Sequence, residues 1–135
     1  MTNGYNTNLA AEFYVLSVFY RLGVNANLTL GKKKSVDIAV IRDAGDALTI
    51  DVKGLAGRTC WPIDNFRERR RHFLVLVCYL GKISDPNVLP EVYVVPSEAV
   101  ASLTHHAPGS GRKTLEVSTM RKAGAKYRDA WSQLL

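Results

Sequence analysis

The 135-residue sequence has only two cysteines, Cys60 and Cys78. Two thiols cannot form a disulfide framework, nor a zinc site by themselves, which excludes a small scaffold held by cross-links. Cys78 lies in an apolar run and reads as core, Cys60 in a loop, and a reducing cytoplasm is the simplest setting. Long hydrophobic runs are absent too. The longest, residues 73–80, is far too short to cross a bilayer, and no signal peptide is present, so no membrane partner is expected. There is no internal repeat and no low-complexity segment. Histidine is scarce, and His105 and His106 sit together in a stretch with Pro108, Gly109, Ser110 and Gly111. They read as solvent-exposed, with no nucleophile or ligand set beside them. Acidic residues are the last shortage: 12 against 18 basic ones, a net charge of +6. That balance favours a polyanionic partner. Many small proteins are basic without binding nucleic acid, so charge alone does not decide the matter.

What is present is ordinary for a folded chain, 47% apolar and 22% charged. Residues 1–135 read as a single domain, long enough to bury a sizeable core. Thr7 or Asn8 is placed to cap a helix running to about Leu22 and ended by Gly23. Its expected apolar stripe is Leu9, Phe13, Leu16 and Tyr20, widened by Val15, Phe19 and Leu22. Glu12 borders that stripe. Strands are expected over 24–30, 73–80 and 91–95, with a short last one at 115–117. Pro96 and Ser97 begin a short helix to about Leu103, and Asp64 caps a helical turn over 65–70. Residues 55–62 read as a loop, where Trp61 either stacks on a base or plugs the edge of the core. From Met120 to Leu134 the pattern is amphipathic and reads as a final helix, with Tyr127, Trp131 and Leu134 on one side.

The most informative stretch is 35–54, S-V-D-I-A-V-I-R-D-A-G-D-A-L-T-I-D-V-K-G, which reads as a buried β-hairpin. Val36, Ile38 and Val40 line one side of the first strand. Ala39 and Ile41 make much of its other side apolar, as suits a strand inside a sheet. In the second strand Leu48, Ile50 and Val52 alternate with Thr49, Asp51 and Lys53. Ala44, Gly45 and Asp46 supply the turn, with Gly45 taking positive φ. Such a loop sets Asp37 opposite Lys53, with Asp51 on the diagonal, and all three share a face unless a bulge shifts the parity. Unpartnered charge in a buried hairpin is costly. Either an Asp–Lys ion pair satisfies it, or the group holds a hard divalent cation such as Mg²⁺, whose preferred ligands are oxygens.

The order Val36-Asp37, then Ile50-Asp51-Val52-Lys53, with Glu12 on a preceding helix, resembles the PD-(D/E)-x-K nuclease superfamily. Within it the pattern is similar to the small archaeal Holliday-junction resolvases and related restriction-endonuclease-like domains. The similarity covers residues 9–54, and the remainder only by its order of elements. Val36 stands where the motif has proline, and the glutamine that some members carry after the lysine has no clear equivalent. The resemblance implies an α/β (α+β) fold, a restriction-endonuclease-like mixed central β-sheet flanked by helices. It also implies an endonuclease that hydrolyses DNA phosphodiester bonds with Mg²⁺ or Mn²⁺. Asp37 and Asp51 would bind the metal, with the Val52 carbonyl as a further ligand and Glu12 completing the set directly or through water. Lys53 would orient the attacking water and stabilise charge on the phosphate.

Around that site the chain carries basic runs: Lys32, Lys33 and Lys34 before the hairpin, and Arg67, Arg69, Arg70 and Arg71 after it. They read as phosphate contacts, with a solvated surface as the competing explanation. Cutting a junction needs two sites at a fixed separation, hence a homodimer. Tyr127 and Trp131 are its candidate surface, with core packing as the alternative. The rival to an enzyme is a non-catalytic nucleic-acid-binding module with the same fold.

Overall fold

The computed structural model describes residues 4–29 and 36–135, with side chains from residue 6 onward. Lys32, Lys33 and Lys34 lie outside the described residues. Helix α1, Gly4–Arg21, ends in a Schellman motif. Gly23 takes φ 74°, its N–H donates to the Tyr20 carbonyl at 3.1 Å, and the Val24 N–H donates to the Phe19 carbonyl at 2.9 Å. The helix begins before the expected cap, so Thr7 falls inside it, buried.

The face that α1 buries also differs from expectation. Thr7, Ala11, Val15 and Phe19, four residues apart, form the inner row, whereas Phe13 and Tyr20 are 55% and 60% exposed. The cause lies on the strand beneath. A Cβ at Gly54 would stand 2.7 Å from the Thr7 carbonyl oxygen and 3.0 Å from Ala11 Cβ, so helix and strand touch through small groups. Large residues at that contact would hold the two apart.

The strands that follow are β1 (Asn25–Leu28), β2 (Ile38–Ile41), β3 (Ala47–Leu55), β4 (Cys60–Pro62), β5 (His72–Cys78) and β6 (Glu91–Pro96). A five-stranded sheet takes them in the order β1-β2-β3-β5-β6, antiparallel except for the parallel pair β3 and β5. Helix α2 (Val100–Leu103), strand β7 (His105–His106), strand β8 (Lys113–Glu116) and helix α3 (Val117–Lys122) complete the regular elements. Strand β8 pairs with β4 and β7 in a second, three-stranded sheet. The fold is thus the expected α+β architecture, a mixed central sheet with helices on its flanks.

Alternation divides the core in two. Ile38, Val40, Leu48, Ile50, Val52, Val75, Val77, Val92 and Val94 face α1, where Leu134 from the chain's last turn joins them. Leu74, Leu76, Cys78, Tyr93 and Val95 face the other way, onto Trp61, Ile63, Leu115, Val117 and Met120. Strands β5 and β6 are therefore buried on both sides, as their continuous apolar runs anticipate. No helix among the described residues is long and apolar enough to cross a membrane.

Four expectations are corrected. The turn of the hairpin is residues 43–45, not 44–46. Arg42 and Asp46 close it through backbone and side chains, and the Gly45 N–H donates to the Arg42 carbonyl at 2.8 Å. The ladder then pairs Ile38 with Ile50 and stops there: the Asp37 N–H donates to that same Ile50 carbonyl at 3.0 Å, so Asp37 does not face Lys53. Residues 60–62 are a strand rather than loop, because Trp61 pairs with Leu115, a partner far along the chain. Asp64 caps no helical turn: its Oδ1 accepts the Lys113 N–H at 2.8 Å, and no helix forms over 65–70. The C-terminal helix is also broken up, into α3 and 3₁₀ turns at Ala125–Tyr127 and Trp131–Leu134. The Asp129 N–H there donates to the Val92 carbonyl at 3.0 Å, and an edge bond to β6 cannot be made from inside a continuous helix.

Candidate functional site

Strand β3 sends Ile50 and Val52 towards α1, and Thr49, Asp51 and Lys53 to the opposite side. Asp37 stands just where β2 leaves the ladder. Its N–H donates to the Ile50 carbonyl at 3.0 Å, and its carboxylate Oδ2 accepts the Val52 N–H at 2.7 Å. A side chain therefore takes the place of a strand carbonyl, and the carboxylate is held against the backbone between Asp51 and Lys53.

Asp51 is fixed differently. Its Oδ2 lies 3.1 Å from Nε2 of His72, and His72 Nδ1 lies 2.7 Å from Thr49 Oγ1. His72 is 1% exposed and stacks on Phe66, with ring centroids 5.7 Å apart and planes 25° from parallel, while the Asp51 side chain keeps 20% exposure. This histidine is the site residue that sequence reasoning missed. It is the first residue of β5, which pairs in parallel with β3 and sets His72 against Thr49. That pairing crosses 23 positions, and nothing local to His72 signals it.

Lys53 is half-buried at one end of a cleft of about 540 Å³, whose walls include Thr7, Asn8, Gly57, Asn65 and Arg112. The Gly54 N–H donates to Asn8 Oδ1 at 3.2 Å, tying the start of α1 to the floor of the cleft. Glu12, on the same helix, is 6% exposed. It comes from the layer that covers Ile50 and Val52. Among the described residues, no three acidic, histidine or cysteine side chains converge closely enough to hold a metal ion together. The structure thus joins Asp51 to His72 and sets Asp37 on the backbone beside it, but does not gather Glu12 with them into one ligand set.

The arginine segment runs past the site. Asn65 lines the cleft, Phe66 stacks on His72, and the Arg71 carbonyl accepts the Thr49 N–H at 3.0 Å. Arg67, Arg69, Arg70 and Arg71 are all exposed along it. Trp61 offers no face to a base: it is fully buried, with Nε1–H donating to the Val77 carbonyl at 3.2 Å. His105 and His106 are exposed, as expected. Trp131 packs edge-on against Phe19, 5.7 Å between centroids, so packing against the α1 side of the core accounts for it.

No family model matches the chain, and no curated protein sequence matches it. The solved structure of a bacterial homing endonuclease, I-Ssp6803I, superposes on it with a TM-score of 0.58, over 100% of this chain and 93% of that one. The two are 18% identical in sequence, and what they share is the fold.

Proposed function

We propose that the protein is a metal-dependent endonuclease that hydrolyses phosphodiester bonds in DNA. The observation that carries this reading is Asp37, just before β2, held on the Val52 amide next to Asp51 of β3. Each carboxylate is oriented by a nitrogen, and Lys53 follows, lining a cleft that Arg112 also lines. Likeness of fold to a homing endonuclease supports it.

The donor set suits the cation. Mg²⁺ keeps several waters and is commonly held by one or two carboxylates together with substrate phosphates, so two aspartates suffice. Asp37 and Asp51 would hold Mg²⁺ or Mn²⁺, with the Val52 carbonyl beside them, and Glu12 would contribute through water. A bound ion of this kind supplies Lewis acidity at the phosphate and eases deprotonation of water. Lys53 orients the water that attacks phosphorus. It then offsets the negative charge that grows as the bond to the leaving oxygen breaks. The exposed arginines hold the DNA backbone without reading sequence.

The test is cleavage of labelled duplex, four-way-junction and single-stranded DNA with Mg²⁺, Mn²⁺ or EDTA. Cutting should require metal, and Asp51→Ala or Lys53→Ala should reduce it at least about a hundredfold with DNA binding largely intact. DNA that is retarded but uncut under every metal would instead identify a binding module.

A further inference from the structure

We infer that His72 is a positioning residue for Asp51: it holds the carboxylate in the orientation that receives the divalent cation. The inference rests on the reading of Asp51 as a metal ligand. Any buried histidine must satisfy both ring nitrogens; what sets His72 apart is its partner, a carboxylate that keeps an exposed edge. Here Nε2 meets the carboxylate at 3.1 Å and Nδ1 meets the Thr49 hydroxyl at 2.7 Å. A carboxylate only accepts, so Nε2 must carry the proton of that contact. In the neutral ring Nδ1 is then the acceptor, and the Thr49 hydroxyl donates to it. Both contacts come from the same strand: Thr49 and Asp51 are alternate residues of β3, so the imidazole bridges two neighbouring side chains on one face. Stacking on Phe66 fixes the ring plane. The hydroxyl sets the tautomer, the stack sets the plane, and together they aim a single N–H at one oxygen of Asp51. That constraint costs rotational freedom before any ion arrives, so the ion need not impose it on binding.

The test compares two substitutions. In His72→Gln the amide nitrogen reaches the place of Nε2 and keeps the contact with Asp51. In His72→Asn it reaches only the place of Nδ1. Both lose the ring and its stacking, so both should melt lower, by similar amounts. Binding of Mn²⁺ alone, measured by calorimetry without DNA, should weaken about 10- to 100-fold in His72→Asn and only a few-fold in His72→Gln. Equal Mn²⁺ affinity in wild type and His72→Asn would overturn the inference and leave the metal reading standing. Absence of Mn²⁺ binding in the wild type both without DNA and with it would overturn the metal reading itself. If His72→Asn does not fold, Thr49→Val serves instead: it removes the hydroxyl that sets the tautomer and should also weaken Mn²⁺ binding. Nitrogen-15 spectra of the wild-type ring give a readout independent of metal. An Nε2–H tautomer is expected, and an Nδ1–H tautomer would overturn the assignment.

Discussion

At the scale of single residues, the chain treats its buried carboxylates in two ways. Glu91, at the start of β6, is closed off: its oxygens accept from Arg121 Nε and Nη2, both at 2.9 Å, and from the Tyr93 hydroxyl. The Arg121 hydrogen bond holds the Glu91 carboxyl below its ordinary value, while burial and the Glu91 contact push the Tyr93 hydroxyl up to about 12. Asp51, by contrast, keeps an exposed edge. The difference separates a group that ties α3 to the sheet from one available to a ligand. Because the Glu91 pKa is depressed in the folded state, its contribution to stability is complete above the ordinary value of 4.5. It is lost as pH falls through the lower, folded value. Melting temperature measured from about pH 7 to about pH 3 should therefore drop for the wild type once the pH falls below the ordinary value of 4.5. In Glu91→Gln the Arg121 contact no longer titrates, and the acid limb of the curve should be shallower.

Among elements, the contact of α1 with β3 organises the site. The inner row of α1 has small residues at Thr7 and Ala11 because Gly54 brings the strand up against them. Gly54→Ala would force the two elements apart. It should cost about 1–3 kcal/mol in thermal or denaturant unfolding. It should also depress DNA cleavage beyond the loss of folded protein, since the same helix carries Glu12 and lines the cleft. Element boundaries show which parts were readable locally. Helix α1, the hairpin, β5 and β6 are visible in sequence because alternation and apolar runs are properties of neighbouring residues. The buried face of α1 was readable in part: the pattern included Val15 and Phe19, but it favoured Phe13 and Tyr20 over Thr7 and Ala11, which the close contact with Gly54 requires. Strand β4 and the loss of a helical turn after Asp64 were equally hidden, since both are decided by β8, about fifty residues later.

On the scale of the whole molecule, the net charge of +6 becomes meaningful through its placement. The segment carrying Arg67, Arg69 and Arg70 follows Asn65, which lines the same cleft as Lys53, and Phe66, which stacks on His72. If these side chains contact phosphates, converting each to glutamine should lower the slope of log affinity against log salt by about one. The loss should be the same for unrelated DNA sequences. A slope unchanged by all three substitutions would assign the arginines to plain solvated surface.

What the sequence by itself determined was a hairpin that places Asp37, Asp51 and Lys53 near one another. A one-residue error in the turn shifted the register, so Asp37 does not face Lys53; its N–H donates to the Ile50 carbonyl and its carboxylate accepts the Val52 N–H. What only the tertiary structure decided was the environment of those groups. The parallel pairing of β3 with β5 brings His72 to Asp51, and the fraying of β2 turns the Asp37 carboxylate onto the Val52 amide. Both depend on contacts between residues far apart in the chain, and local patterning carries no record of which distant strand will lie alongside.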